Sequence, residues 1–419
     1  MERPYPKVIC NKKAEKLIKS GHPWVYGEET SGPDQPYEGG DIVDVFTEKG
    51  SWMGSGFIND VSKIRVRLIS RNTNDRFDEP FWRRRVEYAV DYRRKVMGQD
   101  FNCCRLIFGE ADSFPGLTVD KFEDVLVTEV LSLGTEKRKA LIYRLLCEVL
   151  AERGSPVRCI YERNEGAIRL KEGLAQEKGY YRTETAEGTS GLSVDAERLP
   201  EDEGHVVIKE NGVLYDVDYI NGQKTGFFLD QKYNRAAAGR PAAGMRVLDC
   251  FTHTGAFALN CAKGGAASVT AVDISGSAVA QTRRNAELNG LSDKIEVVQA
   301  DVFDYLTELA ASKKHPFDYI ILDPPAFTKS GTTVRNAYKG YKEINLKAMK
   351  LLPRGGYLAT ASCSHFMTAE LFRQMLMEAA KDAGVQLRQI EERRQSPDHP
   401  ILWGVPETEY LKFFIFQVV

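Results

Sequence analysis

Residues 244–275, GMRVLDCFTHTGAFALNCAKGGAASVTAVDIS, permit few folds. An apolar strand through Val247 and Leu248 stops at Asp249, and a tight turn passes Thr254 and Gly255. A helix follows at AFALNCA, and a second apolar strand, SVTAVD, stops at Asp273. Strand, helix and strand in such close succession predict two parallel strands joined by a crossover, with helices covering both faces of the sheet. Ligands of such sheets lie outside the carboxyl ends of the strands, where an acidic residue closing the second strand can accept both hydroxyl hydrogens of a ribose. Asp273 suits that role. Two later strands end in the same way: KIEVVQAD at Asp301 and FDYIILD at Asp323, just before two prolines.

The turn narrows the ligand. A nicotinamide dinucleotide needs glycines, G-x-G-x-x-G, so that its pyrophosphate can approach bare backbone at the helix N-terminus. Here the turn reads D-C-F-T-H-T-G, in which only Gly255 remains of that pattern and Phe251 and His253 would crowd a pyrophosphate. A cofactor without phosphates, such as S-adenosylmethionine, is tolerated better. Asp301 is placed to meet an adenine amino group. One strand-terminal aspartate is usually a turn former or a helix cap, but four, Asp249, Asp273, Asp301 and Asp323, at one edge point to a ligand. Their order resembles the class I S-adenosylmethionine-dependent methyltransferases, with HPILWGVPETEYLKFFIFQVV supplying the closing antiparallel pair of that Rossmann-like α/β fold.

At 419 residues the chain predicts two or three domains. Residues 1–72 alternate short β-like runs with glycine, and SGHPWVY, residues 20–26, resembles the start of a PUA domain, a small RNA-binding β-barrel. Residues 73–185 read as an α+β middle domain. It opens on EPFWRRRVEYAVDYRRKVMG, a helix whose Arg83, Arg84 and Arg94 stand in a basic cluster suited to phosphate, or to plain solvation. A polar, glycine-punctuated stretch, AEGTSGLSVDAERLPEDEGH, then leads into the cofactor domain at 186–419. Lys and Arg total 57 against 59 Asp and Glu, so any affinity for a polyanion must be local. No apolar run approaches the ~20 residues that cross a bilayer, and the first twenty residues lack the apolar core of a signal peptide. The expectation is a cytoplasmic protein. The eight cysteines form no C-x-x-C pair, which argues against a zinc site and for a reducing compartment.

The stretch YLATASCSHFM, residues 357–367, is a buried-looking strand that ends at Cys363 between two serines. Free cysteines are most often small buried hydrophobes. This one closes the strand that follows the D-P-P strand, beside Asp323. Amino-group methyltransferases carry an aromatic residue straight after the second proline; here Ala326 stands there and Phe327 comes one later. A thiol suits a different acceptor. Carbon 5 of a cytosine becomes nucleophilic only when a thiolate adds to C6, after which a base removes the C5 proton and the thiol leaves. Lys329 and the sulfonium of the cofactor are candidates to favour the thiolate, and Phe327 is a candidate to stack on a base.

SGHPWVY, GEADSFPGLTVDKF, RLKEGL, NGQKTGFFLDQKYNR, LDPPAF, SCSHFM, DHP and PETEYLK together resemble the ribosomal large-subunit RNA methyltransferase I family over nearly the whole chain. The resemblance implies 5-methylcytosine formation in 23S ribosomal RNA, free or in an assembling large subunit. It makes Cys363 the nucleophile and Asp323 the group that orients the base. Gly255, Asp273 and Asp301 would hold the cofactor, with Gln231 near it. Pro325 and Ala326 occupy the place where two-cysteine RNA cytosine methyltransferases carry their second cysteine, so product release would rely on a carboxylate or water. Two rival readings remain: methylation of another base atom, such as a guanine ring nitrogen, and a noncatalytic RNA-binding or ribosome-assembly factor. A homodimer is compatible with either.

Overall fold

The computed structural model describes residues 3–181, 204–312, 316–328 and 330–419; Lys329 and the polar stretch up to residue 203 lie outside the described residues. The apolar runs of the second half become one sheet. Its strands are β1 (Arg246–Cys250), β2 (Ser268–Asp273), β3 (Ile295–Gln299), β4 (Tyr319–Leu322), β5 (Tyr357–Ser362), β6 (Leu387–Arg393) and β7 (Lys412–Val418). They lie in the order β3-β2-β1-β4-β5-β7-β6. The first five are mutually parallel, while β7 runs antiparallel to both β5 and β6. Helices α1 (Ala256–Lys263), α2 (Gly276–Leu288), α3 (Val302–Ala311), α4 (Val334–Leu351) and α5 (Ala369–Ala383) connect them.

Parallel strands covered on both faces need apolar side chains on both, which is why β4 reads as the unbroken run YIIL. Ile320, Ile321 and Leu322 are fully buried, and the core continues through Leu248, Tyr341, Ile344, Phe372 and Phe414. Each such side chain contributes about 1.5–3 kcal/mol through burial. Their combined effect is positional as well. The pairs Cys250 with Leu322 and Leu322 with Thr360 fix the ends of β1, β4 and β5 at a common edge.

Contacts among the described residues divide the chain into two units. One is Met1–Val207 with Val217–Leu229 and Pro397–Thr408; the other, Ile208–Asp216, Asp230–Ser396 and Glu409–Val419, contains the seven-stranded sheet. The first unit holds two five-stranded sheets. One takes the order Lys7–Cys10, Ile42–Thr47, Trp52–Ile58, Ile64–Ser70, Trp24–Tyr26, over a core that includes Val8, Val25, Val43, Ile58 and Val66. The other takes the order Glu177–Tyr180, Cys159–Asn164, Val125–Val130, Leu117–Phe122, Cys103–Phe108.

The arginine-rich segment forms the helix Glu79–Met97, started by Asp78, whose side chain accepts from the Phe81 N–H at 3.1 Å. Its cations do not share one solvated face. Arg93 is fully buried and meets Asp112 through both terminal nitrogens, with Nη2 2.7 Å from Oδ2. Arg93 Nη2 also donates to the Asp398 carbonyl at 2.9 Å, and the Asp398 carboxylate accepts from the Arg105 N–H at 2.9 Å. The D-H-P motif is thus an anchor of the first unit. A second anchor is steric: Gly21 of the SGHPW turn and Gly404 lie so close that a Cβ on Gly404 would stand 2.7 Å from Gly21 Cα.

Removing one partner of a buried ion pair strands the other. Arg93→Met is therefore expected to destabilise the protein by about 3–5 kcal/mol, read as a lowered denaturant midpoint in the transition that reports the first unit.

Candidate active site

The edge of the sheet is assembled by the turn after β1. Asp249 is fully buried, and its Oδ2 accepts from Thr252 Oγ1 at 2.6 Å and from the Ala258 N–H at 3.0 Å, so the carboxylate holds both the turn and the start of α1. The turn is strained. Phe251 (φ 62°), His253 (φ 53°) and Gly255 (φ 80°) all lie in the left-handed region, which costs a non-glycine residue on the order of 1–3 kcal/mol. Gly255 has a further reason to lack a side chain: a Cβ there would stand 2.7 Å from Thr282 Cγ2 on α2. Asp273, closing β2, accepts from the His253 N–H through Oδ2 and from the Ser275 N–H through Oδ1, each at 2.9 Å.

Asp301 lies two residues beyond β3 and caps α3, its Oδ1 accepting from the N–H groups of Phe303 at 2.8 Å and Asp304 at 3.3 Å. The turn-forming and capping roles set aside on the sequence are therefore present at Asp273 and Asp301. They do not compete with a ligand, because a carboxylate has about four lone-pair positions.

Asp249 tests the fit of the cofactor directly. Its Oδ1 is buried with no hydrogen-bond partner, an acceptor that lacks a donor. An oxygen in that state destabilises the site unless a donor arrives, and S-adenosylmethionine carries amino and hydroxyl donors. Burial, reinforced by the neighbouring charges of Asp323 and Asp273, pushes the Asp249 carboxyl up to about 7 against the pull of Thr252 and Ala258. The glycine-starved turn, the carboxylate at each strand end and this acceptor fit S-adenosylmethionine.

Asp323 follows β4 directly, and Gln231 Nε2 donates to its Oδ1 at 3.0 Å. Gln231, itself buried, accepts from Asn234 Nδ2 at 2.6 Å. The sequence placed Gln231 near the cofactor; the structure puts it on Asp323, fixing that carboxylate's orientation.

Cys363 follows β5. All eight cysteines of the chain are thiols; seven are buried and Cys363 alone is partly exposed. Its flanking serines, Ser362 and Ser364, are buried, and Ser364 Oγ donates to the Thr328 carbonyl at 2.9 Å, tying this strand end to the loop after D-P-P. Phe327 packs on Tyr341, with ring centroids 4.6 Å apart, and on Phe303 at 6.0 Å.

Two groups escaped the sequence reading. Lys412, first residue of β7, is the register partner of Ser362 and is buried. Tyr410 Oη donates to Asp230 Oδ2 at 2.7 Å, securing the segment that carries Gln231. The only signal for Lys412 was a cation opening the apolar run KFFIFQVV.

The remaining expected residues lie in the first unit. Arg83 meets Glu87, Glu148 and Glu152; Arg84 meets Asp75 at 3.3 Å and is about half exposed; Arg94 donates to the Arg153 carbonyl at 2.6 Å. No helix among the described residues is long and apolar enough to cross a membrane.

The raised Asp249 carboxyl makes a prediction about the cofactor-free protein. Between about pH 4 and 7 the folded state holds a proton that the unfolded chain has released, so stability falls as pH rises through that window. Asp249→Asn, which stays neutral, is expected to flatten that fall, a difference on the order of a few kcal/mol in denaturant titrations at pH 4.5 and 7.5.

Comparison with known proteins agrees with this geometry. The model of the S-adenosylmethionine-dependent methyltransferase family matches residues 195–416, and that of the PUA-like domain matches residues 8–71. The ribosomal RNA large subunit methyltransferase I of Klebsiella pneumoniae is 36% identical over 417 residues, covering 99% of each chain. That of Shewanella denitrificans is 38% identical over 409 residues, covering 96% of this chain and 97% of its own. A Streptococcus mutans protein assigned to the SAM-dependent methyltransferases shares the fold, with a TM-score of 0.78 at 22% identity over 98% of this chain and 100% of that one. A methyltransferase structure complexed with SAH gives a TM-score of 0.79 with the same identity and coverage. The chain belongs to the ribosomal RNA large subunit methyltransferase I family, and S-adenosylmethionine is its cofactor.

Proposed function

We propose that this protein methylates carbon 5 of a cytosine in large-subunit ribosomal RNA, through a covalent adduct between Cys363 and the base. One observation carries the reading: the single cysteine that is not buried stands one strand away from Asp323 at the ligand edge of the sheet. A structural thiol has no need of that exposure, and the other seven cysteines lack it.

The proposed division of labour is as follows. Asp273, Asp301 and the bare backbone at Gly255 hold the cofactor, with Asp249 Oδ1 accepting from one of its donors. Bound there, S-adenosylmethionine would supply an electrophilic methyl group, its S–CH3 bond breaking as the C5–CH3 bond forms and S-adenosylhomocysteine leaving. The Cys363 thiolate forms a bond to C6 of the cytosine, and the electron pair of the C5–C6 double bond makes C5 nucleophilic. Asp323, oriented by Gln231, accepts from the exocyclic amine of the base. Once C5 carries the methyl group, a base takes the C5 proton, the C5–C6 double bond reforms and the thiolate leaves. With Pro325 and Ala326 after Asp323 there is no second thiol at that turn to assist release, so a carboxylate or water takes the proton.

The target base must be unstacked to expose C6, and Phe327 beside D-P-P offers it an aromatic edge. The PUA-like first sheet and the exposed Arg84 contribute phosphate contacts, with Arg83 and Arg94 available where RNA displaces their present partners. Lys329, two residues after Phe327 in sequence, belongs to the same proposed RNA set. Such an enzyme works where ribosomal RNA is made, in the cytoplasm.

Two tests follow. Ribosomal RNA containing 5-fluorocytidine, with S-adenosylmethionine, is expected to yield a denaturation-resistant protein–RNA adduct with the wild type and none with Cys363→Ala. Methyl transfer by Cys363→Ala at more than a tenth of the wild-type rate would transfer the assignment to a base atom that needs no thiol. In calorimetry, Asp273→Ala is expected to weaken S-adenosylmethionine binding at least tenfold, through loss of an acceptor for its ribose.

A further inference from the structure

Lys412 is a buried cation with an unusual address. It opens β7, its register partner on β5 is Ser362, and its Nζ donates to the carbonyls of Ser364 at 2.5 Å and Tyr410 at 2.8 Å. The lysine is thus bracketed against the residues on either side of Cys363. Two of the three ammonium N–H groups are engaged with backbone carbonyls, which fixes the charge in place.

Neutral carbonyls do not offset the desolvation of a buried ammonium; a counter-charge is needed. The titratable groups around this strand end are Glu409 before β7, Tyr341 on α4, Asp323 after β4, His365 and Cys363 itself. Glu409 is engaged by Arg394 at 2.8 Å and is partly exposed. His365 turns its Nδ1 to the Glu409 carbonyl at 3.3 Å. Burial, with the charges of Cys363 and Asp323 adding to it, pushes the Tyr341 hydroxyl far up, so that side chain stays neutral. Asp323 is held by Gln231. Cys363 is the acidic group that remains, held between Ser362, the register partner of Lys412, and Ser364, whose carbonyl Lys412 Nζ engages.

We propose that Lys412 is the positioning residue that keeps Cys363 as a thiolate, its buried ammonium serving as the fixed counter-ion of the nucleophile. Burial lowers the lysine to about 8, and the negative charges of Cys363 and Glu409 oppose that fall. The sequence had offered Lys329 and the cofactor's sulfonium for this task. Lys412 acts before any cofactor binds, so Cys363 would be activated in the free enzyme. The inference deepens the reading above and rests on it for the thiolate's purpose, but its test uses neither RNA nor cofactor.

The experiment is alkylation of the cofactor-free protein by iodoacetamide from pH 5 to 10, with the Cys363 peptide followed by mass spectrometry. The seven buried cysteines serve as internal controls. In the wild type the rate is expected to rise with an inflection at least one pH unit below the ~8.5 of a free cysteine. Lys412→Met is expected to move that inflection up by one unit or more, and Lys412→Arg to restore most of the difference. A wild-type inflection at or above 8.5 overturns the proposal by itself, whether or not the variants fold. So does a folded Lys412→Met whose inflection matches the wild type. Loss of the 5-fluorocytidine adduct alongside an unchanged low inflection would count against the RNA reading and leave the ion pair standing.

Discussion

The site depends on the register of one parallel sheet. Val247 through Cys250 pair with Tyr319 through Leu322, and those in turn with Tyr357 through Thr360. Parallel strands in register stop together, and the side chains just past their ends gather on one edge. Cys363 and Asp323 come to the same edge because they follow β5 and β4, whose residues pair in register from Tyr319 with Tyr357 to Leu322 with Thr360. Packing deep in the sheet therefore sets the geometry of its rim.

That logic explains what the sequence disclosed. Strand ends are marked by the change from apolar runs to aspartate, so Asp249, Asp273, Asp301 and Asp323 could be placed from pattern alone, and Cys363 from its position after the next strand. The β-rich start and the family of the chain were legible too, through motifs such as SGHPWVY and NGQKTGFFLDQ. Less visible was which way a polar side chain turns. Arg93 stands in a basic run yet is fully buried on Asp112, because helical periodicity places it on the inward face beside Val86, Ala89 and Val90. Lys412 was hidden for the opposite reason: its neighbour Cys363 lies 49 positions earlier, joined to it only by antiparallel pairing of β5 with β7.

The two kinds of buried charge differ in what they do. Arg93 with Asp112, and Arg105 with Asp120, are bidentate pairs that fix elements against one another. Their worth is specificity of packing more than net stability. Asp249 and Lys412 are less completely matched by protein groups, and both stand at the rim of the large sheet. Incomplete matching is what lets a ligand or a reacting atom supply the missing charge or donor.

The Asp398 anchor bears on the order in which the chain can fold. The Arg105 N–H and the Arg93 guanidinium find this partner 293 and 305 residues further on. During synthesis the ribosome releases the amino-terminal sheets long before Asp398 exists, so until then Arg93 has Asp112 and the Arg105 carbonyl as partners. Such distant closure is slow and carries a large loop-entropy cost. The first unit is complete only after nearly all of the second has been made, because its last segment, Pro397–Thr408, follows Asp230–Ser396 in the chain.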